Sequence, residues 1–172
     1  MDTLNAIFTR RSIRQYTGEP ISEEQLHTLL RAGFSAPSCM NSRSWRIIVV
    51  REQETFQAIN KIHPYSRMLP QAGCGLLVCV DTSSGVPFEY LVQDASAATQ
   101  NILLAAHALG LGAVWLGVSP LQERVTGLQK LLEIPDEVKP IAMVSVGHPA
   151  EERAAPDRYE ADKVFFGRWQ GK

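Results

Sequence analysis

Residues 88–117 read FEYLVQDASAATQNILLAAHALGLGAVWLG, and the fold turns on this stretch. Leu91, Val92, Ala95, Ala98, Ile102, Leu103, Ala106 and Leu109 recur at spacings of mostly three or four, the period of one helix face. Ala95, Ala97, Ala98, Ala105, Ala106 and Ala108 keep the segment smooth, which permits close approach of another helix. Gly110 sits where the end of such a helix needs a left-handed residue. Ala113 to Val118 then reads as a strand.

The remaining elements fall on either side. Upstream, Leu76 to Val80 is a continuous apolar run expected to form a buried strand, with a turn over 82–87. Residues 53–62 are weakly helical, and His63-Pro64-Tyr65 breaks them. Trp45 to Val50 is β-branched and reads as a strand, after a small, polar loop over 35–44. Ser22 and Gln25 spell a capping box for a helix that stops near Gly33. Residues 2–10 suit a short helix and 11–20 a loop. Downstream, Ser119-Pro120 predicts an N-cap with proline at the first helical position, opening a helix to about Leu132. Residues 138–147 are a last strand. The tail, 149–172, is charged but holds Val164, Phe165, Phe166 and Trp169, and so is expected to pack. The irregular alternation of strands and helices predicts one α+β domain over 1–172.

Composition excludes several classes. With 17 basic and 18 acidic residues the net charge is −1, which argues against a nucleic-acid binder. No run is apolar enough for a membrane span. The first residues carry an early acid and no apolar core, so no secretion signal is expected. Three cysteines, an odd count, point to a reducing, cytoplasmic setting. Charge is uneven: residues 1–51 hold seven arginines, no lysine and four acids, so an anionic small ligand near this third competes with a solvated basic face. Phosphate-cradling loop, nucleophile elbow, His-Glu-x-x-His and Cys-x-x-Cys motifs are all missing. Gly110-Leu111-Gly112 lacks the third glycine of a dinucleotide fingerprint.

Three constellations remain. Arg10, Arg11, Ser12 and Arg14 at a helix end can clamp a phosphate, or simply complement their own helix dipole. Pro37, Ser38, Cys39, Asn41 and Arg43 form a polar loop in which asparagine can donate and accept to a heterocycle, or form a plain turn. Gly110 to Gly117 lets backbone approach a flat ligand, or merely punctuates helix and strand. Cys39 as a nucleophile would need a base, and no histidine lies close in sequence.

Taken in order, these features resemble the nitroreductase family of flavin-dependent oxidoreductases, over nearly the whole chain and most closely its compact branch. The matching residues are Arg10, Ser12 and Arg14; Pro37, Ser38, Asn41 and Trp45; Gly110 to Gly117; Gly147 and Pro149; and Arg158. The resemblance implies a central, mostly antiparallel sheet flanked by helices, in an intertwined homodimer whose tail, about 150–172, wraps the partner. It implies FMN as cofactor, NADH or NADPH as donor, and a small acceptor such as a nitroaromatic or quinone, in ping-pong order. Arg10, Arg14 and Arg158 would hold the phosphate with Ser12, and Arg67 is a further candidate. Arg11, Pro37 and Cys39 join the cofactor-binding set. Ser38 and Asn41 would meet the flavin edge from the other subunit, while Leu116 and Gly117 would lie against the ring with a backbone N–H near N5. No side chain is expected to serve as an obligatory acid or base, and no metal is expected. Two departures stand out. Arg43-Ser44 replaces the family's Gln-Pro, and Gly73-Cys74 replaces an Ala-Pro pair. A charge from Arg43 at the ring edge would raise its reduction potential. A flavin protein without nicotinamide turnover, a Cys39-based hydrolase and a flavin-free interaction domain are the alternatives.

Overall fold

A computed structural model describes residues 1–171. Helix α1 spans Thr3–Thr9, α2 Glu23–Phe34, α3 Gln53–Ile62, α4 Phe88–Ala108 and α5 Gln122–Leu131. Strands β1 (Trp45–Val50), β2 (Cys74–Asp81), β3 (Gly112–Gly117) and β4 (Val138–Gly147) form one sheet in the order β1-β2-β4-β3. All three pairings are antiparallel.

The strand periodicity explains the layers. In β2, Leu76, Val78 and Val80 face one way and join a core with Leu29 of α2 and Leu91, Ala95 and Ile102 of α4. Leu77 and Cys79 face the other way, against Phe56 and Ile59 of α3, Val125 and Leu128 of α5, and Met143 of β4. The central strands β2 and β4 are therefore largely apolar because helices cover both faces. The capping box forms as the sequence requires, with Ser22 Oγ accepting from Gln25 N–H and Gln25 Oε1 accepting from Ser22 N–H. Gly110, at φ 76°, ends α4.

The start of α5 corrects one expectation. Ser119 is not its N-cap and Pro120 is not its first residue. The Val118 and Ser119 N–H groups both donate to Ile141 O at 3.1 Å, holding the chain to the sheet end. The helix begins only at Gln122, after Leu121, without a side-chain cap. Among the described residues no helix is long and apolar enough to cross a membrane.

The loop after α1 is the element that matters most for the site. Ser12 bridges Ala113 in parallel, and Ile13 N–H donates to Ala113 O at 3.0 Å, so this loop covers the first half of the outer edge of β3. Tyr16 is buried and donates to backbone carbonyls of Ile13 and Ser145. Glu151 accepts the Arg14 N–H at 2.6 Å, an interaction that holds its carboxyl below the usual range. Gly112 is what lets the loop lie so close, since a Cβ there would stand 2.6 Å from Ile13 Cγ2 and 2.9 Å from its Cβ. Gly112→Ala is therefore expected to push the 12–14 segment off β3 and cost about 1–3 kcal/mol. Urea denaturation checks this, and an unchanged midpoint would refute the contact's importance.

Candidate active site

The outer edge of β3 builds the site. In an antiparallel ladder, alternate residues turn N–H and C=O away from the partner strand. Ala113 faces outward, as its carbonyl bond to Ile13 shows, so Trp115 and Gly117 face outward as well. Beyond Ala113 this edge opens on a cavity of about 660 Å³. Arg14, Arg67, Leu116 and Gly117, all singled out in the sequence, line it.

Sequence reasoning missed His63, Tyr65 and Arg124, which line the same cavity beside Trp115 of the Gly110 to Gly117 segment. His63 Nε2 lies 2.9 Å from Gly117 O, and Arg124 Nη1 donates to the same carbonyl at 2.7 Å. A carbonyl only accepts, so the imidazole carries its proton on Nε2. The 3.4 Å approach of Arg124 Nη1 to His63 Nε2 then joins two donors and is no bond. His63 is 2% exposed, and its Nδ1 has no partner among the described residues. Burial, with Arg124 adding repulsion, pushes its pKa below the ordinary 6.5. The Gly117 peptide is thus pinned from behind by two donors. The only clue in the sequence was the helix-breaking His63-Pro64-Tyr65, which carries no chemical signal.

A second group of cations lies by the end of α1. Arg10 is half-buried, and burial, Arg11 and Arg158 all press its pKa down. Arg11 itself is occupied, donating to the carbonyls of Phe8, Arg10, Ala154 and Pro156. Its work is to tie the tail to α1, and this tie brings Arg158 beside Arg10. Ser12 contributes its backbone to the β3 bridge.

The loop before β1 is elsewhere. Pro37, Ser38 and Cys39 line a separate hollow with Tyr90, Asp94 and Ala97 of α4. Asp94, buried in α4, accepts the Cys39 N–H on both carboxylate oxygens, at 2.9 and 3.1 Å. Arg43 N–H donates to Ser38 Oγ and Arg43 Nε–H to Asn41 Oδ1. Met40, Asn41 and Arg43 sit at φ 52°, 54° and 48°. Non-glycine residues in the left-handed region cost on the order of 1 kcal/mol or more each, and persist only where neighbours enforce them. The Asp94 clamp and the Ser38–Arg43 bond are those neighbours. No histidine lines this hollow, so Cys39 has no imidazole base there. Burial pushes the Cys74 and Cys79 thiols up to about 12, which makes them inert.

The site's chemistry fits a flat anionic cofactor. A Cβ on Gly117 would meet nothing within 4 Å, so a planar ring has room against the strand edge. The outward N–H of Gly117 is a ready donor, Leu116 and Trp115 supply apolar wall, and arginines supply counter-charge.

The chain is thus a three-layer α+β fold whose open edge strand meets an arginine-lined cavity. The Nitroreductase family model matches residues 7–73 and 64–148. This chain belongs to that family. A Methanothermobacter thermautotrophicus protein named "Putative NADH dehydrogenase/NAD(P)H nitroreductase" is 44% identical over 169 residues, spanning 98% of this chain and 88% of the relative. A Bacillus subtilis protein named as an NAD(P)H FMN reductase is 30% identical, over 95% of this chain and 72% of its own. An FMN-dependent nitroreductase from Clostridium difficile R20291 superposes with TM-score 0.90 at 26% identity, covering 96% of this chain and 99% of that one.

The lowered pKa of His63 has a consequence for stability. Above the unfolded value of 6.5 the group is neutral in both states. Below it the unfolded chain takes up a proton that the folded one resists, so stability falls as pH drops. His107, also depressed by burial and by Arg10 and Arg11, adds in the same direction. His63→Gln is expected to make the loss of unfolding free energy between pH 7 and pH 5 shallower. Urea titrations across that range test it, and an identical slope in both proteins would reject the assignment.

Proposed function

We propose that this chain is an FMN-dependent NAD(P)H oxidoreductase that passes electrons to a small acceptor such as a nitroaromatic or quinone. The observation that carries the proposal is the outward-facing Gly117 peptide, pinned by His63 and Arg124, at the wall of a cavity lined by arginines. The names of the relatives, an FMN reductase and an FMN-dependent nitroreductase, support the same cofactor. When bound, FMN supplies the hydride chemistry, accepting from the reduced nicotinamide and delivering to the acceptor in separate half-reactions.

The protein's own work is binding and electrostatics. Arg10, Arg14 and Arg158 serve the phosphate, with Ser12 beside them. Leu116 and Gly117 serve the ring, the Gly117 N–H donating from a fixed position. Pro37, Ser38, Cys39, Asn41 and Arg43 belong to the cofactor set through a second copy. β1 and β3 are opposite edges of the sheet, three interstrand spacings or about 14 Å apart, so one chain does not close its own site with that loop. The exposed Phe8, Met40, Phe166 and Trp169 are the surface such a homodimer would cover. The tail from about 150 belongs to the same single domain and wraps the partner. The free cysteines accord with a cytoplasmic setting.

The visible spectrum of the purified protein, followed by identification of the released chromophore, is the primary test. FMN at about one per chain, in a particle of twice the chain mass, is expected; no flavin, and none taken up, would refute the proposal. Gly117→Val is expected to fold normally yet lose most FMN, because its branched side chain fills the space against the strand edge. Arg43→Gln is expected to lower the flavin midpoint potential, since a removed cation no longer favours the reduced anion. An unchanged potential would place Arg43 away from the ring.

A further inference from the structure

The cavity holds more positive charge than one cofactor phosphate requires. Arg14, Arg67 and Arg124 line it, and no carboxylate does among the described residues. Yet the chain as a whole has more acids than bases. Arg10 and Arg158 are not among the lining residues, and of the Arg10, Arg14 and Arg158 set Arg14 alone among the described residues reaches the cavity. There remain Arg67, which the sequence offered as a further phosphate candidate, and Arg124 beside the Gly117 carbonyl.

Their placement is built rather than incidental. After α3 every third residue turns inward: His63, Ser66 and Leu69 are buried, while Tyr65 and Arg67 are exposed. Ser66 Oγ is the anchor, donating to His63 O at 2.7 Å, with Asn60 Oδ1 2.6 Å away. This brace turns Tyr65 and Arg67 outward into the cavity wall. Arg124 is fixed by Gly117 O and by the Tyr65 ring, whose centroid is 5.5 Å from its guanidinium carbon. Among the described residues only one of its nitrogens, Nη1, donates to a carbonyl. Arg67 makes no hydrogen bond or ion pair among the described residues. A guanidinium pair without carboxylates, beside an exposed aromatic ring, is a seat for a phosphate attached to a planar heterocycle.

We propose that Arg67 and Arg124, with Tyr65, form an anion subsite that binds a phosphate group of the reduced dinucleotide. This rests on the oxidoreductase reading, because an uncharged nitroaromatic or quinone gives such a subsite nothing to hold, whereas the donor always carries phosphate. The 2′-phosphate of NADPH and the pyrophosphate common to both dinucleotides are the two sources of that chemistry.

The test is calorimetric binding of two probes to the FMN-loaded protein: adenosine 2′,5′-bisphosphate for the first source and ADP for the second. Loss of a charge-assisted hydrogen bond is expected to raise Kd about tenfold in Arg67→Ala. KM for the matching donor rises alongside, kcat changes little, and Arg67→Lys restores part of the affinity. An effect confined to the bisphosphate and NADPH assigns the 2′-phosphate, and an equal effect on both probes and both donors assigns the pyrophosphate. Unchanged Kd for both probes would overturn the subsite. So would FMN loss from Arg67→Ala, which would give this guanidinium to the cofactor instead. Wild-type protein that takes up no FMN, yet loses ADP binding on Arg67→Ala, would retire the oxidoreductase reading and leave the subsite standing.

Discussion

The half-covered outer edge of β3 is the constraint on which the rest depends. A sheet edge presents unpaired donors and acceptors that must be used or shielded. Here the first half is used by the loop after α1, through Ser12 and Ile13 on Ala113. The second half is left to the cavity, with only the Gly117 carbonyl engaged among the described residues. Gly112 admits the loop, Glu151 and Tyr16 fasten it, and Arg14 is thereby carried to the cavity wall. The same loop begins with Arg10 and Arg11, so cation placement and edge coverage are one piece of construction.

The strain in the loop before β1 belongs to the same economy. Three left-handed residues in one short loop are held by a buried carboxylate, Asp94, toward the N-terminal end of the sheet-covering helix α4. Because α4 packs directly on β2 and β4 through Leu91, Ala95 and Ile102, the loop's conformation is referenced to the core rather than to its own sequence. Asp94 also offers its backbone carbonyl to Trp45 Nε1 at 3.1 Å, which fixes the start of β1 from the same point.

How much of this was legible in the sequence depended on whether the signal was local. The capping box at Ser22, the run Leu76–Val80 and the alanine-rich α4 are set by adjacent residues, and the structure has them where periodicity places them. Ser119-Pro120 spells a helix start just as clearly, but a sheet hydrogen bond to Ile141 outcompetes it. The arginines of the first third left an anion site and a solvated basic face both open, and nothing local separates Arg11, spent on carbonyls, from Arg10 and Arg14. His63 and Arg124 lie 61 positions apart and converge on one carbonyl. Only the packing of α3 against α5 could reveal them. The order of motifs along the chain carried more than any motif alone, because order reflects which elements meet at the edge of β3.

The main-chain character of the β3 wall has a consequence for how the cavity can vary. The Gly117 N–H and C=O persist whatever side chains flank them, and Trp115 and Tyr65 are exposed around them. Substitutions at those positions would reshape the mouth of the cavity without removing the donor at its wall. The shape of the mouth and the hydrogen-bonding groups of the wall are therefore separable properties, and side-chain substitution can alter the first while the main chain keeps the second.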